Sequence, residues 1–487
     1  MKKVFVILLT AVIAAGLLCG CGSEKKADVS QQVELVWYTF GDNTAPTDLP
    51  KVEAKINEYL KQKINASVKI KVLSFSDYSD KMNTMLTSGE PADLVFTCSW
   101  VFDYRIYGPR GVLLPLDELV QKYGTDMKAI IPDYLWSVAS VNGKLYGVPN
   151  YKDEVYQQAF LFNKNLLDKY GIDVTAVKSY SDLEPIFAKI HAQDAGVLCL
   201  DTESMTASPF NKFDFVISEC FPGAFRLDDP SSKIINQLED QDYINFYKTT
   251  HQYFKNGYIS KNAGLTNANQ AEFKNGKVLC RVDVMLPGLA RIRSEEYGFP
   301  TIAVPAYAGS PVLSTSSCSG SMIGISATSQ NPERAMMLLN LLNTDSYLRN
   351  LVQYGIENVH YKKISGQVIN LLPESKNYQM AGFALGNQFI AYTTNQLPAD
   401  YLAQLKKFND SGVKSPGLGF AFDTEPVKNE ISAISNIVAQ HDKSILTGFI
   451  DPVSGLADLN AKVKAAGMDK VLAEMQKQVD AWKKTKK

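Results

Sequence analysis

The sequence predicts an α/β protein of at least two domains, and three observations carry that prediction. Between Val33 and Cys98, runs of β-branched and aromatic residues alternate with runs whose apolar residues recur at helical spacing, the pattern of a mainly parallel sheet with crossover helices. The same alternation resumes beyond Asn150. The chain of 487 residues also far exceeds the ~250–300 residues at which a single core stops growing.

The elements follow in order. VELVWYTF, residues 33–40, reads as a buried strand broken by a Gly-Asp-Asn-Thr turn. Val52, Ile56, Tyr59, Leu60 and Ile64 define a helix over about 49–64, and SVKIKVLSF is the next strand. Asp77 opens a helix carrying Met82, Met85 and Leu86, which Gly89 and Pro91 stop before the strand ADLVFTC. AFLFNK is a strand and NLLDKYG a short helix, and Ser181 with Glu184 reads as a capping box ahead of IFAKIHA. Asn331 caps a helix with Pro332 at its first position and an almost continuous apolar face in PERAMMLLNLLN. From Val427 the chain is largely helical, and it contains no internal repeat.

The N-terminus carries a second kind of information. Lys2 and Lys3 precede an apolar run from Val4 to Leu18 and then LLCGC, a secretory signal too short for a stable membrane span. Leu18, Gly20 and Cys21 resemble the bacterial lipoprotein signal at minus three, minus one and plus one, which implies removal of residues 1–20 and diacylation of Cys21. Cys19 fits less well, because bulky Leu18 would stand at its minus-one position. Residues 21–32 then form a polar tether reaching at most about 30 Å. The expected location is the outer face of the bacterial cytoplasmic membrane.

Formal charge is −1, and loss of Lys2 and Lys3 takes it to −3, with no basic stripe beyond the terminal KKTKK. Nucleic acid is therefore excluded as a partner class. The remaining cysteines, Cys98, Cys199, Cys220, Cys280 and Cys318, lack zinc-ligand spacing and sit in apolar strand-like runs, so buried thiols are expected, with one disulfide left open. No GxSxG elbow, HExxH helix, phosphate loop or EF-hand loop is present, and the four histidines are scattered. His360 reads as a hydrogen-bonded structural residue. No cofactor or metal is implied.

Several segments, in order, resemble the extracellular solute-binding proteins of ABC importers, family 1, lipoprotein subgroup. They are KMNTMLTSGEPADLVF, GVLLPLDELV, VNGKLYGVPN, FLFNKNLLDKYGID, FKNGKV and ISATSQNPERAMMLLNLL, with GIENVHY, GNQFIAY and FDTEPVKNEI matching the subgroup that has an added C-terminal helical region. The resemblance implies a two-lobed periplasmic-binding-protein-like α/β fold with a ligand cleft at a hinge. The lobes would comprise residues 33–149 with 318–366, and 150–317 with 367–487. Open sheets bind ligands at the carboxyl ends of their strands, which nominates Trp37, Tyr38, Asp42, Trp100, Asp103, Tyr151, Asp153, Glu154, Asp283, Met285, Asn387 and Gln388. Sugars suit aromatic platforms ringed by carboxylates and amides. Against this, a Trp or Tyr at a strand end is core as often as platform, and Asp42, Asp103 and Asp153 also read as helix caps. The function implied is a monomeric, lipid-anchored, non-enzymatic protein that captures an oligosaccharide or sugar derivative for an ABC permease. A secreted carbohydrate-active hydrolase and a receptor-linked sensing subunit are the alternatives.

Overall fold

The computed structural model describes residues 29–41, 45–74, 76–201, 211–262 and 272–485. Cys21 and Asp42 lie outside the described residues.

The first lobe is organised on a five-stranded sheet with the order Ala66–Ser74, Val33–Gly41, Leu94–Thr97, Met322–Ile325, Val148–Pro149. The helix Leu49–Ile64 forms because Leu49, Val52, Ile56, Leu60 and Ile64 make one apolar stripe, and all five are buried against this sheet. Each such side chain contributes about 1.5–3 kcal/mol on full burial. Asn65 ends the helix in the left-handed conformation, with its N–H bonded to the carbonyl of Leu60. The helix Pro332–Thr344 adds Met336, Leu338, Leu339 and Leu342 to the same core.

The second lobe has a four-stranded sheet, Thr301–Pro305, Gln158–Asn163, Val278–Val284, Leu198–Asp201. A third unit pairs the small antiparallel sheet Ile234–Ile235, Ala224–Arg226, Phe213–Phe215 with the helices Lys428–Leu446, Pro452–Ala465 and Met468–Thr485, sharing one core. The helix Gln241–Lys255 joins the two, since Tyr253 belongs to the lobe core while Tyr243 and Tyr247 belong to the helical core.

Three chain segments cross between the lobes side by side. Tyr156 bridges Val312, and Val312–Leu313 pairs in turn with Val413–Lys414.

Three expectations need correction. Parallel pairing joins the first three strands of the five-stranded sheet, but Met322–Ile325 and Gln158–Asn163 run antiparallel to both of their neighbours. An all-apolar central strand is buried on both faces in either direction, so its composition does not fix its polarity. The first lobe does not stop at residue 366: Tyr378, Met380, Ala384 and Leu385 are buried in its core. Finally, Ser179 and not Ser181 caps the turn Tyr180–Leu183, its side chain accepting from the N–H of Asp182, and the helix Glu184–Gln193 continues from that turn. The five cysteines beyond the signal are buried thiols. His360 is buried, accepting from the N–H of Ile356 at Nδ1 and bonding Asp48 through Nε2 at 3.0 Å.

Candidate functional site

A cleft of ≈ 890 Å³ runs between the first lobe and the third unit. Its first-lobe wall begins where the strand Leu94–Thr97 ends. The loop from Cys98 to Asp103 turns through Phe102 at φ 46°, a backbone conformation that costs energy for a bulky residue. It is held there by the Thr97 hydroxyl, which donates to the Phe102 carbonyl at 2.5 Å, and by stacking of Phe102 on Tyr107 with centroids 4.3 Å apart. The turn delivers Trp100 to the cleft with 49 % of its surface exposed. Its indole N–H donates to the Gly320 carbonyl at 2.8 Å, and its ring lies 5.9 Å from that of Phe96.

Asp103 follows and caps the helix Tyr104–Tyr107, accepting from the Arg105 N–H at 2.9 Å. The same carboxylate takes the Arg105 guanidinium in three contacts, Nε to Oδ1 and to Oδ2, each at 3.0 Å, and Nη2 to Oδ2 at 2.6 Å. Burial opposes the Arg105 charge, but the hydrogen bond and charge of Asp103 outweigh it and raise its pKa. The pair thus presents fixed donors and acceptors to the cleft.

The opposite wall is built from two segments far apart in sequence. Phe215 and Phe225 come from the small sheet, Ile217 from the loop that follows Phe215, and Phe420, Phe422, Asp423 and Glu425 from the start of the C-terminal region. Gly417 must be glycine, because a Cβ there would stand 2.4 Å from the Phe225 ring. Phe420 packs edge-on against Phe225 and Trp482, with centroids 6.0 and 5.6 Å away. Gln478 of the last helix holds both backbone groups of Asp423 at 2.9 Å. Asp214 is buried beside the cleft with its Oδ2 accepting from the Ser415 hydroxyl; burial pushes its carboxyl up to about 6, against the lowering effect of that hydrogen bond. The two walls meet directly where Arg110 Nη2 donates to Glu425 Oε1 at 2.6 Å.

Of the twelve ligand-contact residues nominated by strand-end position, the structure brings Trp100 and Asp103 to this cleft. Trp37 is a correction: it is 1 % exposed within the first-lobe core, on a strand flanked by Ile70 and Leu94. Tyr38 is also buried, and its hydroxyl donates to Glu90 at 2.9 Å. Tyr151, Asp153 and Glu154 lie at the first crossing: Tyr151 packs on Phe389 at 4.5 Å, Asp153 pairs with Lys152, and buried Glu154 accepts from the Tyr134 hydroxyl. Asp283 binds Arg293 at 2.7 Å and Met285 packs in a small core of the second lobe. Asn387 caps the turn Gln388–Ile390, and the Gln388 N–H donates to the Tyr151 carbonyl. None of these nine lines the cleft.

Strand-end reasoning missed Arg105, Arg110, Phe215, Ile217, Phe225, Phe420, Phe422 and Glu425. The available signal was aromatic residues interleaved with Gly, Pro and Asp in FPGAFRLDD and GLGFAFDTEP, outside any strand or helix period.

The geometry agrees with the relatives of the chain. A family profile described as Bacterial extracellular solute-binding protein matches residues 44–210, and one described as Domain of unknown function (DUF3502) matches residues 416–484, the segment that forms much of the second wall. Over its full length the chain is 32 % identical to a carbohydrate ABC transporter substrate-binding protein of Streptococcus pneumoniae serotype 4, covering 99 % of that protein. Among solved structures, the N-glycan transport solute binding protein NgtS from Streptococcus pneumoniae matches with a TM-score of 0.84 and 30 % identity, over 93 % of this chain and 100 % of that one. Two further NgtS structures, in complex with Man1GlcNAc and with Man5GlcNAc, match at 0.76 with 30 % identity and at 0.74 with 31 % identity, over 92 % and 93 % of this chain and 99 % of each. With two α/β lobes joined by three crossing strands, a cleft between walls, and full-length identity at this level, the chain belongs to the extracellular solute-binding proteins of bacterial ABC importers.

Proposed function

We propose that the protein binds an oligosaccharide containing mannose and N-acetylglucosamine in the cleft and presents it to a membrane permease. The observation that carries this reading is the cleft itself, where the half-exposed Trp100 ring stands among Asp103, Arg105, Asp214 and Glu425. A pyranose has an apolar C–H face for an aromatic ring and a rim of hydroxyls for charged acceptors and donors. The full-length relative NgtS, whose structures hold Man1GlcNAc and Man5GlcNAc, supports the sugar type.

A ligand that binds only the folded state raises its stability by RT ln(1 + [L]/Kd), about 2.7 kcal/mol at ~100 times Kd. Thermal melting with Man1GlcNAc and Man5GlcNAc is therefore expected to show an upward shift that saturates, with both glycans recovered intact because the site binds without reacting. No shift with either glycan refutes the sugar assignment, and hydrolysed product refutes the non-enzymatic one.

The anchor belongs to the same reading. Cys21 in the LLCGC signal carries the lipid, so Cys21→Ala releases the protein from membranes on detergent-free fractionation, whereas Cys19→Ala leaves it attached. Continued sedimentation of the Cys21→Ala protein with membranes would refute it.

A further inference from the structure

Beside the main cleft lies an annex of ≈ 330 Å³. The two cavities share Asp214, Phe215, Ile217 and Ser316, so they are compartments of one space. The far side of the annex is made by the crossing strands: Tyr156 and Val312 line it and exchange backbone hydrogen bonds at 2.8 Å in both directions. Next to them stands the short helix Thr315–Cys318, whose Ser314 and Ser317 cap one another. The loop after Phe215 completes the annex with Ser218 and Glu219.

The size and chemistry of this space match a sugar unit. Its volume sits at the lower end of the ~300–1,000 Å³ found for small-molecule sites. Phe215, Ile217 and Val312 provide apolar surface, while Ser218, Ser316 and Glu219 provide hydroxyls and a carboxylate. Asp214 stands on the boundary, buried, with Oδ2 fixed by the Ser415 hydroxyl, so its acceptor position is set before any ligand arrives.

We propose that the annex is a second sugar subsite, taking a further unit of an oligosaccharide whose remainder lies in the main cleft, with Asp214 accepting hydroxyls from the units on both sides of the junction. The proposal rests on the carbohydrate reading of the main cleft. A unit in the annex touches the strands that join the lobes, so a larger glycan gains contacts that a disaccharide in the main cleft does not make.

The test uses calorimetric affinities of the mature chain for Man1GlcNAc and Man5GlcNAc. Ser218→Trp fills the annex at a position outside the lining of the main cleft. It is expected to weaken Man5GlcNAc by about tenfold or more while changing Man1GlcNAc by less than about twofold. Glu219→Gln, which keeps the side-chain size, is expected to weaken only the larger glycan by several-fold and serves if the tryptophan variant does not fold, as judged by melting. Equal losses for both glycans, or no loss for either, overturn the annex while leaving the carbohydrate reading in place. Failure of the unsubstituted protein to bind either glycan overturns the carbohydrate reading and this inference with it.

Discussion

Trp100 is anchored by its edge to the Gly320 carbonyl, and that bond is what allows a half-exposed ring to keep one orientation. A sugar packing on a ring already ordered loses less entropy than one that must order it. Trp100→Ala is therefore expected to weaken glycan binding by about thirtyfold, the scale of an anchor worth about 2 kcal/mol, with little change in melting temperature. Trp37→Ala should behave in the opposite way, because its ring is enclosed by the first-lobe core and its removal leaves a cavity costing about 3–5 kcal/mol of stability. Calorimetry and melting on both variants separate the roles; native affinity in Trp100→Ala would remove it from the site. Both residues stand near the end of a short apolar run, so the sequence around them is alike. What distinguishes them is the turn through Phe102, whose left-handed backbone no local pattern announces.

At the scale of elements, the contact between the walls is an ion pair, Arg110 with Glu425, on residues about half exposed. Hydrogen bonds from Arg110 and Lys428 hold the Glu425 carboxyl below the usual carboxylate range. Exposed pairs are weak and screened by salt, so their effect on lobe closure is a few-fold at most. Arg110→Glu and Glu425→Arg should each lower glycan affinity at low ionic strength, the double exchange should restore it, and the differences should vanish near 1 M salt. Losses that persist at high salt would mean that the residues touch the ligand instead of each other.

The helix Leu49–Ile64 was legible because its stripe and its ending are written within one short segment. The walls were not, since Phe215 and Phe420 owe their places to the packing of the small sheet on helices more than 200 residues further along the chain.

Across the whole molecule, the crossing region holds a buried acid. Glu154 lies at the first crossing, its N–H donates to Asn409 Oδ1 at 3.1 Å, and its carboxyl accepts from Tyr134 of the first lobe. Burial raises its pKa from 4.5 to about 8, against the lowering effect of the Tyr134 hydrogen bond. Between those two values the folded chain binds more protons than the unfolded one, so this group makes stability fall as pH rises. Glu154→Gln removes that term: its melting temperature should gain on the unsubstituted protein as pH goes from 5 to 8. A constant difference across that range would mean that folding does not raise the Glu154 pKa.

The two-lobed plan came from the family resemblance of the colinear segments, and the alternation of strands and helices could be read from local signals. The polarity of Gln158–Asn163 and the attachment of residues 378–385 to the first lobe could not, because both depend on which neighbours an apolar run meets. The clamp of Gln478 and Trp482 on the second wall also has a consequence in time. Synthesis proceeds from the N-terminus, and the first lobe has all of its strands once Ile325 has emerged, yet the binding face waits for the final helix. A chain cut short before Met468 would keep both sheets and lack the support of one jaw, so the cleft gains its second wall only after the helix Met468–Thr485 has been made.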